Sequence, residues 1–275
     1  MPERGGKITS LLDTVRDREW LEQAVDVLVG PADVEQSFDD GDMCEWDEML
    51  PTISSCRYPG SDLELPDHGE LWRVAWDVTQ QSSNSVSTRA HGHMLPYLFE
   101  RTLTLDAGRL RVEYWMSTSG NDDLAFLWAA HPLFSLQPRT RLVVNSGSSI
   151  FDQLHENGSR TLMNWPQGGA IISDVAGVGQ GKKFFARALK EHVAVSLIDP
   201  DGTQINLGWR RSQIPWLGIW MDNCSLSRQP VAAIEATNGL DDSLERSSLA
   251  GESWTVSPGS ARQWTIELTT SGSPS

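Results

Sequence analysis

The 275 residues carry 37 acidic against 22 basic side chains, a formal net charge of −15, which excludes a nucleic-acid binder on electrostatic grounds. Apolar residues at 39% and charged residues at 21% describe a globular chain with a core rather than a disordered one. No run approaches the roughly 20 apolar residues that a membrane span needs.

In chain order, Met1–Gly6 is polar and lacks the apolar stretch of a secretory leader. Gly6–Asp13 reads as a strand, and Val15–Leu28 has the spacing of a short helix. Leu110, Val112, Tyr114 and Met116 alternate with period two, which places them on one face of a strand. Arg141–Asn145, His192–Ile198 and Trp264–Leu268 read the same way, whereas Lys182–Glu191 is the second helical candidate. Turn residues separate these runs at Asp106–Gly108, Ser119–Asp122, Glu156–Gly158 and Asp199–Gly202. Many short strands with little helix predict an all-β protein, a large antiparallel β-sandwich. One domain over residues 1–275 is the economical arrangement, with a flexible Ser/Gly/Pro tail after about residue 269. Cys44, Cys56 and Cys224 are odd in number and fit no zinc spacing, so they read as reduced thiols of a cytoplasmic protein.

Five blocks set titratable groups beside Gly, Pro or Trp, where a strand end or turn can aim them into a cleft: Gly41–Ile53, Pro66–Trp72, Phe126–Phe134, Pro215–Asp222 and Ala233–Asp242. His131 lies inside an apolar and aromatic run, so desolvation would lower its pKa and leave it able to exchange protons near neutrality. The other reading is a core His whose nitrogens bond nearby backbone. Glu235 ends the apolar run Val231–Ile234, where burial would raise its pKa towards that of a general base; the alternative is a structural acid paired with Lys or Arg. His68 precedes Gly69, which would let the backbone approach a ligand closely. His91 and His93 share the spacing of one strand face, but with no third ligand evident no metal is expected there. Gly177–Lys183 has too few residues between its glycines for a P-loop, and no Ser or Thr follows Lys182. Asp241 and Asp242 read as a solvated turn. Twelve Trp against three Tyr leave several flat faces that could stack on a ligand.

Taken in order, these blocks resemble the galactose mutarotase (aldose 1-epimerase) superfamily, in its divergent bacterial branch. Gly41–Ile53 is similar to the branch's Gly-Trp-Asp-Glu-x-Phe-Pro-Thr stretch, and Asp67–Gly69 to the Asn/Asp-His-Gly turn. Trp128–Phe134 resembles the segment that supplies the acid. Ile234–Glu235 followed by Asp241 resembles the segment that supplies the base. The resemblance implies a β-sandwich that binds a small-molecule sugar as a monomer or homodimer and interconverts its anomers without metal or cofactor. In that reading Glu235 removes the anomeric proton and His131 protonates the ring oxygen. His68 and Asp47 then bind the sugar, with Trp128 or Trp220 stacking on its ring. Arg57 is the candidate for a sugar-binding Arg, because the family's Gly-Arg-x-x-Asn-Arg motif is missing. Lys182, or Lys183 beside it, falls where the family has a sugar-binding Asp, and Pro132 and Leu133 replace a Ser-Tyr pair after the His. The same residues admit a non-catalytic sugar-binding or sensing protein. They also admit a glycoside hydrolase or lyase using Asp47 or Glu48 with Glu235, or a sugar-phosphate substrate held by Lys182, Lys183 and Arg187.

Overall fold

A computed structural model describes residues 1–25, 32, 37–40, 43–155 and 158–272. Two large antiparallel sheets dominate them. The seven-stranded sheet runs from edge to edge as Arg160–Asn164, Ile150–Leu154, Gln180–Arg187, Trp216–Asn223, Val231–Thr237, Ala129–Ser135 and Trp46–Met49. The nine-stranded sheet runs as Ala170–Ile171, Arg141–Asn145, His192–Ile198, Gln204–Arg210, Ala261–Ser271, Arg109–Thr118, Tyr97–Asp106, Ser85–His91 and Asp77–Gln81. This is the all-β sandwich that the strand pattern predicts.

The two sheets meet through aromatic side chains. Trp128 lies 4.9 Å from both Tyr114 and Trp264, and Tyr114 stacks on Trp264 at 5.5 Å. A polar cluster is sealed in the same layer. Glu48 is fully buried and accepts hydrogen bonds from Tyr114 Oη at 2.9 Å, Trp128 Nε1 at 2.9 Å and Arg101 Nη1 at 3.1 Å. Arg101 also donates to the Gly6 carbonyl and lies over the Trp76 ring. A buried carboxylate needs such partners, because desolvation alone would drive it neutral.

Local chemistry explains the connections. The hairpin at Asp106–Gly108 turns through Ala107 at φ 47° and Gly108 at φ 77°, the two left-handed positions of a type I′ turn. Asp199–Gly202 closes the next predicted hairpin, with Gly202 at φ 88°. Arg141–Asn145 and His192–Ile198 form strands with the predicted bounds.

Four expectations need correction. Lys182–Glu191 is not helical: Gln180–Arg187 is a strand, because its backbone pairs on both sides with Ile150–Leu154 and Trp216–Asn223. Tertiary pairing overrides the weak local preference. Of Val15–Leu28, the described part forms a turn and a small hairpin of Leu12–Asp13 against Arg18–Glu19, fixed by the Asp13 carboxylate accepting from the Val15 and Arg16 amides; residues 26–28 lie outside the described residues. Gly6–Asp13 is therefore no continuous strand, and Ile8 contributes one bridge to Trp46. The last strand continues to Ser271, pairing Ile205 with Thr270 and Gln204 with Ser271, two residues past the expected start of a tail at about 269; residues 273–275 lie outside the described residues. The turn predicted at Glu156–Gly158 and the start of the block at Gly41–Ile53 fall partly outside the described residues. Cys44, Cys56 and Cys224 form no disulfide among the described residues, and among these no helix is long and apolar enough to cross a membrane.

Candidate active site

Antiparallel registration sets a row of residues across the seven-stranded sheet. Asp47 pairs with His131, Gly218 with Glu235, and Phe185 with Gly218. Leu133 opposite Ala233 fixes the same register between the strands of His131 and Glu235. Cross-strand partners project to one side of a sheet, so Asp47, His131 and Glu235 share the face away from the core. The intervening residues Trp46, Glu48 and Trp128 turn inward.

Within that row His131 Nε2 lies 3.7 Å from Glu235 Oε1. Glu235 is fully buried; its Oε2 accepts from Lys183 Nζ at 2.5 Å, and its Oε1 makes no hydrogen bond. Lys183 Nζ also lies 2.9 Å from Asp242 Oδ1. Asp47 is held by Lys7, whose Nζ donates to Oδ2 at 2.6 Å. Above the row, His68 is carried at φ 57° by the turn before Gly69, and its Nδ1 meets Asp67 Oδ2 at 2.5 Å. Gly69 is required there, since a Cβ would meet the Leu50 carbonyl oxygen at 2.1 Å. The His68 ring stacks on Phe38 at 4.1 Å and stands edge-on to His131 at 5.9 Å. Phe38 in turn packs edge-on against His131 at 5.7 Å.

These surroundings set the charge states. Burial pushes the His131 pKa well below the usual imidazole value, and His68, Lys183 and Lys7 nearby depress it further. Burial likewise raises the Glu235 carboxyl; Lys183 opposes that rise and Asp242 reinforces it. The row therefore holds a neutral imidazole beside a buried carboxyl group with one open oxygen.

The structure thus brings together His131, Glu235, His68 and Asp47 of the expected set. Trp220 stands on the same face, opposite Ala233 and packed against Leu133 and Val231. Trp128, Arg57 and Lys182 are placed otherwise. Trp128 is wholly buried and donates to Glu48, so it belongs to the core and offers no stacking face. Arg57 is exposed on the hairpin Cys56–Arg57 with Glu64–Leu65, paired with Glu64 at 3.2 Å. Lys182 points to the opposite side of its strand from Lys183, and Lys183 takes the site position. Sequence reasoning missed Phe38, Asp242 and Lys7. Asp241 is no solvated residue either, since it accepts from Arg160 and Arg246 and anchors the turn that presents Asp242.

Gly218 leaves the space that the Glu235 carboxylate occupies. A Cβ added there would meet Glu235 Oε2 at 2.9 Å and Glu235 Cβ at 3.3 Å. We expect Gly218→Ala to displace the carboxylate and lower turnover by up to about 100-fold with little loss of melting temperature. Unchanged turnover in this variant would mean that the carboxylate position is not critical.

The outer face of the seven-stranded sheet thus carries a buried His131–Glu235 pair. No protein-family model matches the sequence, and no curated protein matches it. Solved structures do match. The chain is similar to a galactose mutarotase related enzyme from Lactobacillus acidophilus, at 16% identity and a TM-score of 0.76, covering 100% of this chain and 94% of that one. It is similar to a galactose mutarotase-like protein from Lactobacillus casei, at 17% identity and 0.75, covering 98% and 95%. It also resembles a galactose mutarotase-like protein from Clostridium acetobutylicum, at 12% identity and 0.73, covering 99% and 91%. The fold is that of the galactose mutarotase-like proteins.

Proposed function

We propose that the protein is an aldose 1-epimerase-like enzyme that binds a sugar and interconverts its anomers by proton transfer to and from its own side chains. The observation that carries this reading is the 3.7 Å approach of His131 Nε2 to the open oxygen of Glu235. The anomeric hydroxyl and the ring oxygen of a pyranose are bonded to the same carbon, so the base and the donor must stand side by side. Glu235 Oε1 takes the hydroxyl proton while His131 donates its N–H to the ring oxygen, and the ring opens to the aldehyde. Rotation about the bond to the next carbon and reclosure, with the proton steps reversed, yield the other anomer. On reclosure Glu235 returns its proton to the aldehyde oxygen and His131 regains one from the attacking hydroxyl, so both groups are restored. His68 supports the reading as a donor to sugar hydroxyls, and Trp216 and Trp220 as apolar faces on the same side. Three cysteines outside any disulfide are in keeping with a reducing, cytoplasmic location.

The hydrolase reading loses one of its carboxylates, because Glu48 faces the core and is held there by three donors. The test is polarimetry on freshly dissolved single anomers of a panel of aldoses. Acceleration of mutarotation supports the enzyme; saturable binding with no acceleration for any sugar bound assigns a sensing role instead.

The charge states give a pH dependence. Glu235 must be ionised to act, so kcat/KM rises with pH through a limb above the ordinary Glu value of 4.5. His131 acts as the neutral donor, so no falling limb appears as pH passes the ordinary His value of 6.5. A bell-shaped profile that declines at or below that pH would identify imidazolium as the acid and contradict this assignment.

A further inference from the structure

Lys183 takes no part in the proton transfers just described, yet it is the closest neighbour of the base. It lies two strands away from Glu235. Gln180–Arg187 pairs with Trp216–Asn223, and that strand pairs with Val231–Thr237. To reach Glu235 the Lys183 side chain must cross the middle strand, and the residue directly opposite Glu235 on that strand is Gly218. Any side chain there would occupy the space of the contact, since a Cβ would stand 2.9 Å from the same Oε2 that Lys183 holds. The far side of the ammonium is fixed by Asp242 at 2.9 Å, and the side chain passes over the Phe185 ring at 5.2 Å. Glycine at 218, the Asp241–Asp242 turn and the register of three strands thus converge on one contact. A lone structural ion pair would not require an open oxygen beside it, but Glu235 keeps Oε1 unpartnered in a wholly buried position.

We propose that Lys183 is a positioning residue of this acid–base site: it clamps Glu235 through Oε2, keeps the buried carboxylate ionised and leaves Oε1 as the single oxygen able to take a proton. Asp242 is the counterweight. It holds the ammonium between two carboxylates, which limits how strongly Lys183 stabilises the charge on Glu235 and keeps that carboxylate basic. The proposal rests on the anomer-interconverting reading for its kinetic consequence, whereas its electrostatic consequence stands independently of any substrate.

Both are measurable. The protein is labelled with 13C at the Glu side-chain carboxyl, and the Glu235 resonance, assigned by its absence in Glu235→Gln, is titrated in the full chain. Lys183→Met should move the Glu235 titration upward by at least one pH unit, and Lys183→Arg should restore most of the shift. Asp242→Asn should move it in the opposite direction, downward, because a negative neighbour is lost. In the same variants the acid limb of kcat/KM should follow the resonance, up for Lys183→Met and down for Asp242→Asn. If Lys183→Met folds poorly by circular dichroism, Asp242→Asn supplies the opposite-sign test by itself. A Glu235 titration that does not move in Asp242→Asn, or that moves the same way in both variants, overturns the proposal. Titrations that move as expected in a protein that accelerates no anomer exchange would instead overturn the enzymatic reading and leave the clamp standing.

Discussion

Glu235→Gln is expected to slow anomer interconversion by about 100- to 10,000-fold, the range that one positioned general base contributes. The amide keeps the shape and burial of the side chain but cannot accept a proton. Lys183 keeps Asp242 as an ionic partner at 2.9 Å, so the substitution leaves no buried ammonium without a counter-charge. Sugar binding should therefore persist, and the loss should fall on kcat rather than KM. Stopped-flow polarimetry with a single anomer and calorimetric titration of the same sugar separate the two. His131→Ala should have an effect of similar size, and the double variant should lose little more, because the two groups act as one unit. A double variant whose losses multiply would show that they act independently.

The second large effect concerns stability. Glu48→Leu removes the shared acceptor of Arg101, Tyr114 and Trp128 and leaves a fully charged guanidinium buried at 2% exposure. Breaking such a pair from one side costs about 3–5 kcal/mol. Urea unfolding should show the midpoint shift, with Glu48→Gln less affected because the amide still offers an acceptor oxygen. The carboxyl itself brings a pH dependence. Burial pushes it up to about 7 despite the nearby Arg101, so the folded state favours the protonated form more than the unfolded chain does. That contribution is present below the ordinary Glu value of 4.5 and is lost as pH rises through about 7. The melting temperature of Glu48→Gln, relative to the parent, should accordingly climb between pH 5 and 8. A constant difference over that range would contradict the assigned protonation.

How far the sequence reached differs from element to element. Period-two runs such as Val112, Tyr114 and Met116 reveal their strand because one face is buried and the other is wet. Gln180–Arg187 conceals its own, since Phe184 and Phe185 are both buried and the alternation that marks a one-sided strand is gone. The same loss hid which of two adjacent lysines faces the site. Glu235 and His131 were legible as single titratable residues in apolar runs, and His68 through the glycine beside it. Trp128 misled because a Trp in a polar block looks available to a ligand, whereas its indole N–H is spent on Glu48 in the core. Asp242 sits beside another Asp in a turn, a context that is usually solvated. Only the fold brings Arg160 and Arg246 to Asp241 and Lys183 to Asp242.

The row of Asp47, His131, Glu235 and Gly218 is written across neighbouring strands, and three of its four members sit in interior strands of the sheet. Amides in such positions exchange with solvent mainly when the whole sheet opens. Heat should therefore abolish the proposed anomer exchange and folded structure together, with no inactive but folded plateau. On the proposed function, the same rigidity means that adaptation to a different sugar would proceed through the short 3-10 turn at Phe38 and the turn at His68, not through the strands that hold His131 and Glu235.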